Sequence, residues 1–262
     1  MEITGVEGRT ALITGSSKGI GRACAITLAR AGADVVVNHR DSETEALEVK
    51  SQIERLGRRA IVVKADAGDP EQVEDLFDQA AHAFGGVDIA VSNAVFTRHR
   101  MAVDLDFRDW KRAFAVNVDA GFILGRRTGQ DLIRRGAKGR IIYISSILAI
   151  HCRPGSIAYN TTKSALRGMA YSLASEFMEH EITVNVIQPG STNTPGERRF
   201  LSEERIAELA AKMPFGRMAS PQDVANVVLF LASDLGSFVN GQTIRVDSGQ
   251  VLGRVPAPPE RW

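Results

Sequence analysis

Tyr159 and Lys163 are the first residues of this 262-residue chain whose types and spacing could do chemistry. They are four positions apart in a segment, Ala158 to Glu179, with the pattern of a helix, so both side chains leave one face a turn apart. A tyrosine pKa is about 10, but a neighbouring cation favours the phenolate and lowers it. The pair could therefore exchange protons as a general acid and base. An ordinary amphipathic pair on a helix surface is the alternative.

Two more polar residues fit such chemistry. Ser146 follows the apolar run that starts at Arg140, and its hydroxyl could donate to a developing oxyanion. Ser145 is its rival, because side chains alternate along a strand and one of the two should face a pocket. Asn117 lies in the pattern of a long helix, where asparagine is mildly unfavourable. It is a candidate site residue, or a buried asparagine that satisfies backbone groups.

The elements that must position these residues are short apolar strands that alternate with helical patterns. Continuous apolar runs indicate strands covered by helices on both faces, and the alternation predicts a parallel sheet. We therefore predict an α/β fold, a doubly wound seven-stranded parallel sheet of the Rossmann type. The predicted strands are Thr10–Thr14, Val35–Asn38, Ala60–Lys64, Ile89–Ser92, Arg140–Ser145, Thr183–Gln188 and Thr243–Val246. Asp69-Pro70 and Ser220-Pro221 are predicted helix starts.

A glycine-rich turn joins the first strand to the first helix. Gly15, Gly19 and Gly21 would let the backbone turn sharply and approach a pyrophosphate, and the helix start offers free N–H groups to negative charge. A tight turn without any ligand is the alternative reading.

The end of the second strand indicates which nucleotide such a turn would hold. The strand ends Asn38-His39-Arg40 and carries no carboxylate to accept hydrogen bonds from a ribose. Arg40 and Lys18 could instead bind a ribose phosphate. This favours NADP(H), with NAD(H) still possible. Alternatively, Arg40 pairs with Asp41 or Glu43 at the surface.

Taken together, these motifs resemble the short-chain dehydrogenase/reductase family over nearly the whole chain. The resemblance rests on their order and separation: Thr14 to Gly21, Asp66, Ser92-Asn93-Ala94, Asn117, Ser146, Tyr159 with Lys163, Pro189-Gly190 with Thr194, and the last strand ending at Asp247. Val95 and Ser248 depart from the family, which usually has glycine at both positions. There is also some similarity to glucose 1-dehydrogenases and 3-oxoacyl-acyl-carrier-protein reductases.

The resemblance implies an oxidoreductase that transfers a hydride between NADP(H) and an alcohol or ketone. Tyr159 would be the general acid/base, Lys163 would bind the nicotinamide ribose, Ser146 would bind the substrate oxygen and Asn117 would hold a relay water. Implied cofactor contacts are Gly15, Ser17, Lys18, Gly19, Ile20, Gly21, His39, Arg40, Asp66, Ala67, Asn93, Ala94, Tyr159, Lys163, Pro189, Gly190, Thr192 and Thr194. The partners implied are a small alcohol or carbonyl compound and three further copies in a homotetramer.

Composition and the two ends of the chain bear on partners, metal sites, location and domain organisation. The formal net charge of +1 suggests no nucleic acid or anionic membrane as a partner, and no metal site is expected from the scattered histidines and the two cysteines. The start of the chain has no apolar leader, which favours a cytoplasmic location. We expect one domain over residues 1–262, with a substrate lid at 191–214 and a proline-rich tail, Val255 to Trp262.

Substrate identity is left open by the sequence. Loops that should meet over the nicotinamide carry several cations, which would favour a polyhydroxylated or anionic substrate unless they are merely solvated: Arg98, His99, Arg100, His151, Arg153, Arg198 and Arg199. A sugar 1-dehydrogenase and a 3-oxoacyl-acyl-carrier-protein reductase are possible specific activities. A nucleotide-binding sensor without turnover, or a structural protein without nucleotide, are the alternatives of a different class.

Overall fold

Seven parallel strands form the centre of the computed structural model, which describes residues 4–199 and 202–252. Their order across the sheet is β3-β2-β1-β4-β5-β6-β7, so the chain reverses its direction of winding next to β1. The strands are β1 Thr10–Ile13, β2 Asp34–His39, β3 Ala60–Lys64, β4 Ile89–Ser92, β5 Arg140–Ile144, β6 Thr183–Pro189 and β7 Thr243–Val246. This confirms the predicted fold class, and each strand lies within a residue or so of its predicted bounds.

Helices cover both faces of the sheet. Apolar residues of α1, α2 and α8 pack on one face, and those of α3, α5 and α6 pack on the other. The α-helices of the described residues are α1 Gly19–Arg30, α2 Glu43–Arg55, α3 Pro70–Phe84, α4 Phe107–Phe114, α5 Ala120–Arg135, α6 Ile157–Phe177, α7 Glu203–Lys212 and α8 Pro221–Ala232. Because β1, β2, β4, β5 and β6 are buried along their whole length, their sequences are almost continuously apolar.

Both predicted proline helix starts are confirmed. The Asp69 carboxylate accepts hydrogen bonds from the Glu71 and Gln72 amides at the start of α3. At the start of α8, Ser220 accepts from the Asp223 amide while the Asp223 carboxylate accepts from the Ser220 amide, which is a capping box.

The segment around Asn117 differs from the long helix that its pattern predicts. A π-helical turn, Ala115–Asp119, lies between α4 and α5 and widens the helix at Asn117. The predicted lid segment also contains structure of its own, a 3₁₀ turn at Glu197–Arg199 and helix α7. The proline-rich tail, Val255 to Trp262, lies outside the described residues.

One buried asparagine ties the glycine turn to the sheet. Asn38, near the end of β2, accepts a hydrogen bond from the Gly15 amide (2.9 Å). Its amide nitrogen donates to the carbonyls of Val63 (3.3 Å) and Ala65 (3.1 Å), at the end of β3. A single side chain of β2 therefore joins the turn after β1 to the end of β3.

We predict that Asn38→Ala lowers the free energy of unfolding by about 3 kcal/mol, because buried backbone groups lose their hydrogen-bond partners. Urea unfolding of the purified variant measures this loss. The control is Asn226→Ala on the exposed side of α8, where the side chain accepts one bond from Gln222 and the expected change is within about 0.5 kcal/mol. Equal losses in the two variants would contradict the structural role given to Asn38.

Candidate active site

The glycine turn between β1 and α1 is closely packed. A Cβ at Gly21 would lie 2.4 Å from the Gly15 carbonyl oxygen and 2.5 Å from the Asn93 amide nitrogen, so the position requires glycine. Gly15 has a φ of +63°, in the region that favours glycine. Asn93 donates to the carbonyls of Thr14 (2.9 Å) and Gly15 (3.1 Å), and these bonds fasten the turn to the end of β4.

The start of α1 leaves donors available for an anion. No side chain caps the helix at Lys18, and this helix start lines the cavity that the turn encloses through Lys18, Gly19 and Ile20. This cavity has a volume of about 380 Å³. Its wall contains ten of the predicted cofactor contacts, namely Gly15, Lys18, Gly19, Ile20, Arg40, Asp66, Ala67, Asn93, Ala94 and Thr194.

Three predicted cofactor contacts lie elsewhere. Ser17, Gly21 and His39 are buried and line neither this cavity nor the neighbouring one that contains Tyr159. Gly21 acts by close packing, as described above, and His39 is enclosed within β2, where burial lowers its pKa. Direct contact of these residues with a nucleotide stays a prediction.

The cations of this cavity already have acidic partners. Arg40 pairs with Asp41, and Lys18 lies 2.6 Å from Glu45, whose pKa is lowered by that hydrogen bond. The surface pairing of Arg40, which is the alternative to binding of a ribose phosphate, is therefore present. Such exposed pairs contribute little to stability, so a phosphate could compete for either cation.

Asp66 has a partner that the sequence did not indicate. Its carboxylate lies 2.6 Å from Arg112 of α4 and also accepts a hydrogen bond from the Gly68 amide. Burial raises the pKa of Asp66, but these hydrogen bonds outweigh burial and hold the pKa below its usual value. Arg112 belongs to the cavity wall as well. No local pattern marks it, because the two residues are far apart in the chain.

A second cavity, of about 710 Å³, lies at the carboxyl ends of β4, β5 and β6. Tyr159, Lys163 and Ser146 line it together with Pro189, Gly190, Thr192 and Thr194. It shares five wall residues with the smaller cavity, so the two form one continuous cleft; these residues are Ile20, Asn93, Val95, Thr194 and Gly196. The glycine turn and the Tyr159 phenol thus lie in the same cleft.

The two serines at the end of β5 have different roles. Ser145 donates its hydroxyl proton to the Lys163 carbonyl oxygen (2.7 Å) and so fastens β5 to α6. Ser146 lies near enough to Tyr159 to lower the pKa of the phenol, and its Oγ accepts a hydrogen bond from the Leu148 amide (3.1 Å). The geometry brings Ser146, rather than Ser145, to the phenol.

Burial changes the proton affinity of both predicted proton carriers. It raises the pKa of Tyr159 above its ordinary value, against a smaller lowering by the Ser146 hydrogen bond. Burial also lowers the pKa of Lys163 to about 7. The Lys163 amine donates to the Ile144 carbonyl (2.7 Å) and lies 5.6 Å from the centre of the Tyr159 ring. In this arrangement Lys163 does not produce the expected lowering of the tyrosine pKa.

Asn117 supports the site from behind. Its side chain accepts a hydrogen bond from the Phe96 amide (2.8 Å) and donates to the Phe96 carbonyl (3.0 Å) and to Thr162 (2.9 Å). It therefore joins the loop after β4 to α6. Because the side chain is engaged in these bonds, a relay water would have to bind the backbone of the π-helical turn.

The two departures from the family pattern are a residue in the cleft wall and a residue with a positive φ. Val95 is 53% exposed and lines both parts of the cleft. Ser248 has a φ of +51°, a backbone conformation that favours glycine. Neither residue replaces a catalytic candidate.

Residues 4–199 and 202–252 contain neither a cluster of metal ligands nor a membrane-spanning helix. No group of three or more His, Cys, Asp or Glu residues there is arranged to hold a metal ion. Nor does any helix of these ranges have the length and apolar character needed to cross a bilayer.

Comparison with known proteins adds independent information. Residues 15–250 match a family model described as enoyl-(acyl carrier protein) reductase. An L-rhamnose 1-dehydrogenase (NAD(P)(+)) of Sphingomonas is 36% identical over 94% of this chain and 98% of its own length. A chloroplastic NADPH-dependent aldehyde reductase 2 of Arabidopsis thaliana is 40% identical over 94% of each chain. The crystal structure of a short chain dehydrogenase from Burkholderia cenocepacia in complex with NADP has a TM-score of 0.87 at 34% identity, covering 95% of this chain and 100% of the other.

We predict that Lys163→Met stabilises the free protein near neutral pH. The unfolded state keeps the lysine proton up to a pKa of about 10.4, whereas burial lowers the folded-state pKa to about 7. Wild-type stability therefore rises with pH between these two values, and the variant lacks this dependence. Urea unfolding should show an advantage of a few kcal/mol for the variant at about pH 6, which shrinks towards about pH 10.

The matched control is Lys138→Met, because Lys138 is an exposed lysine that pairs with Glu181. A stability difference between Lys163→Met and wild type that is independent of pH would show that the amine is not a desolvated group.

Proposed function

Because this chain belongs to the short-chain dehydrogenase/reductase family, we propose that it transfers a hydride between NADP(H) and an alcohol or ketone, with Tyr159 as general acid/base. The observation that carries this proposal is that Tyr159, Ser146 and Lys163 line one cavity, which shares wall residues with the cavity at the uncapped start of α1. The relatives named above are an aldehyde reductase and a sugar dehydrogenase, which points to carbon–oxygen chemistry.

The described residues fit a dinucleotide. The amides at the start of α1 would hold its pyrophosphate, Asp66 and Ala67 would lie at its adenine end, and Asn93 with Ala94 would lie near a ribose. Pro189, Gly190, Thr192 and Thr194 would lie against the nicotinamide. When bound, the nicotinamide supplies or accepts the hydride. NADP(H) is the preferred form and NAD(H) a possible one, which agrees with the NAD(P)(+), NADPH and NADP of the three related proteins.

Tyr159 and Ser146 would act on the substrate oxygen. In reduction, negative charge develops on that oxygen, the Ser146 hydroxyl donates a hydrogen bond to it and Tyr159 gives it a proton. In oxidation, the Tyr159 phenolate takes the proton of the substrate hydroxyl, and Ser146 keeps its hydrogen bond to the substrate oxygen. Both hydroxyls lie in the cavity wall, so one oxygen atom could reach both.

Lys163 would supply the proton that Tyr159 loses. Its pKa of about 7 allows the amine to exchange protons near neutral pH, whereas the buried phenol by itself holds its proton firmly. Lys163 also lines the cleft, so its amine would hold a ribose hydroxyl of the cofactor beside Tyr159. Asn117 would complete the path with a water held by its backbone in the π-helical turn.

Several broader features belong to the same proposal. The chain would form one domain in which residues 191–214, including α7, close over the substrate. It would assemble as a homotetramer, by analogy with its family, and its free thiols at Cys24 and Cys152 are compatible with a cytoplasmic location. The oligomeric state can be measured by light scattering of the purified protein.

We predict that Tyr159→Phe lowers kcat about 100- to 10,000-fold, because it removes the proton donor and leaves the shape of the cavity unchanged. The rate is followed by nicotinamide absorbance with a panel of sugars, ketones and oxoacyl thioesters, and NADPH binding is followed separately by thermal shift.

Tyr171→Phe is the control, because Tyr171 lies on the same helix and is exposed. A thermal shift without turnover in the wild-type protein would favour a nucleotide sensor, and the absence of both would favour a structural protein. Full activity of Tyr159→Phe would rule out the assigned acid/base.

We predict that Arg40→Ala raises the Michaelis constant for NADPH about tenfold and leaves that for NADH nearly unchanged. The lost contact is a charge-assisted hydrogen bond to the ribose phosphate, worth about 1.5 kcal/mol or more. Arg55→Ala is the control, because Arg55 lies exposed at the end of α2 and bonds to Ser51. An unchanged NADPH preference in Arg40→Ala would contradict the assignment.

A further inference from the structure

The loop between β5 and α6 brings a cation to the cavity that holds Tyr159. His151, Cys152, Arg153 and Pro154 all line this cavity, and Tyr159 follows in the first turn of α6. The substrate part of the cleft is therefore formed by the same stretch of chain that positions the acid/base.

Most arginines of the surrounding loops are already neutralised. Arg98 pairs with Asp109, Arg198 with Glu203, and Arg205, which also lines the cavity, with Glu208. Arg100 donates to the His99 carbonyl and is not part of the cavity wall. Arg153 differs from these, because it lines the cavity and no carboxylate of residues 4–199 or 202–252 forms an ion pair with it.

Neutral groups hold the Arg153 side chain in place. Its Nε donates to the Ser156 hydroxyl (3.4 Å), and its Nη2 lies 3.4 Å from both nitrogens of the His99 ring. Ser156 is itself buried and bonded to His99 (3.1 Å), while Asn160 donates to the Arg153 carbonyl (3.2 Å). The guanidinium is thus oriented by its neighbours, yet its charge is not cancelled.

The positive charge of Arg153 acts on the Tyr159 hydroxyl. It is one of the influences that lower the pKa of Tyr159, together with the stronger hydrogen bond from Ser146. A substrate whose oxygen contacts Tyr159 would therefore have its neighbouring atoms within electrostatic range of the guanidinium.

The remaining charges of the wall limit what the cation can bind. Glu197 also lines the cavity, and its negative charge acts on Tyr159 in the opposite direction. Because Arg205 is paired with Glu208, Arg153 is the arginine of this wall that is left to bind an anion. Repulsion from Glu197 favours a singly charged group over a phosphate dianion. A guanidinium binds a carboxylate through two parallel hydrogen bonds, which is the strongest arrangement open to it.

We infer that Arg153 binds a carboxylate of the substrate, and that the protein therefore acts on hydroxy or oxo carboxylic acids. This rests on the proposed function, since the reaction is the same: the carbinol hydride passes to the nicotinamide and the hydroxyl proton to the Tyr159 side chain. The carboxylate is not changed in the reaction. Its role is to fix which carbon of the substrate faces the nicotinamide.

The test compares acids with their primary amides, which keep the carbon skeleton and remove the charge. The panel contains α-hydroxybutanoate, β-hydroxybutanoate and an aldonate, each with its amide, assayed with the NADP⁺-loaded wild type, Arg153→Gln, Arg153→Lys and Arg100→Gln. Turnover gives kcat and KM, and calorimetry gives binding independently of turnover. Arg100→Gln is the control, because it removes a nearby arginine that lies outside the cavity wall.

We expect wild type and Arg100→Gln to prefer at least one acid over its amide about tenfold or more, mainly through KM. Arg153→Gln should lose this preference and treat amides as wild type does, and Arg153→Lys should restore part of it. Equal loss for acids and amides in Arg153→Gln would indicate a purely structural role and overturn the inference. No preference for any acid in wild type, by turnover or by calorimetry, would also overturn it.

The same panel separates this inference from the function on which it rests. Turnover of neutral alcohols or amides as fast as of acids would leave the oxidoreductase in place and refute only the carboxylate site. Failure of NADPH to bind at all would refute the proposed function itself.

Discussion

The active site depends on the burial of one lysine amine. Lys163 is only 3% exposed, and its amine has the Ile144 carbonyl as its partner at 2.7 Å. Removing an ammonium group from water is costly, so the protein lowers the pKa of this lysine to about 7 instead. The first turns of α6 are accordingly held firmly, by Ser145 on the side of β5 and by the bond between Thr162 and Asn117 on the side of the π-helical turn.

The parallel sheet brings this amine to the rest of the cleft. Because all seven strands run in the same direction, their carboxyl ends meet at one edge, where the glycine turn follows β1 and Ser146 follows β5. Buried polar side chains then fix these loops relative to one another. Asn38 and Asn93 hold the glycine turn, and Asn117 holds the loop after β4. The reacting groups are thus carried by short loops on a rigid frame.

Much of this arrangement is predictable from the sequence because it follows local rules. Continuous apolar runs mark the buried strands, and aspartate or serine before proline marks the starts of α3 and α8. Alternation of side chains on β5 indicates that one of Ser145 and Ser146 faces the pocket, and the resemblance to the family selects Ser146. Asn38 gives a weaker signal, as an amide within an apolar strand.

Other features depend on contacts between distant parts of the chain or on geometry without a sequence pattern. The π-helical turn at Asn117 has the composition of an ordinary helix, and nothing near Asp66 indicates its pairing with Arg112. The sequence also suggests that Lys163 lowers the tyrosine pKa, whereas in the folded chain burial dominates and raises it. Burial is a property of the whole fold, so residue spacing alone does not predict whether the tyrosine pKa is raised or lowered.

The proposed reaction requires the Tyr159 phenol to act as a proton carrier once the cofactor is bound beside it. The chain has only three tyrosines, so NMR of protein labelled at the phenolic carbon can follow each of them through a pH titration. We expect Tyr159 to titrate above its ordinary pKa in the free protein and at a clearly lower pH once NADP⁺ is bound. A Tyr159 titration that NADP⁺ leaves unchanged would contradict it.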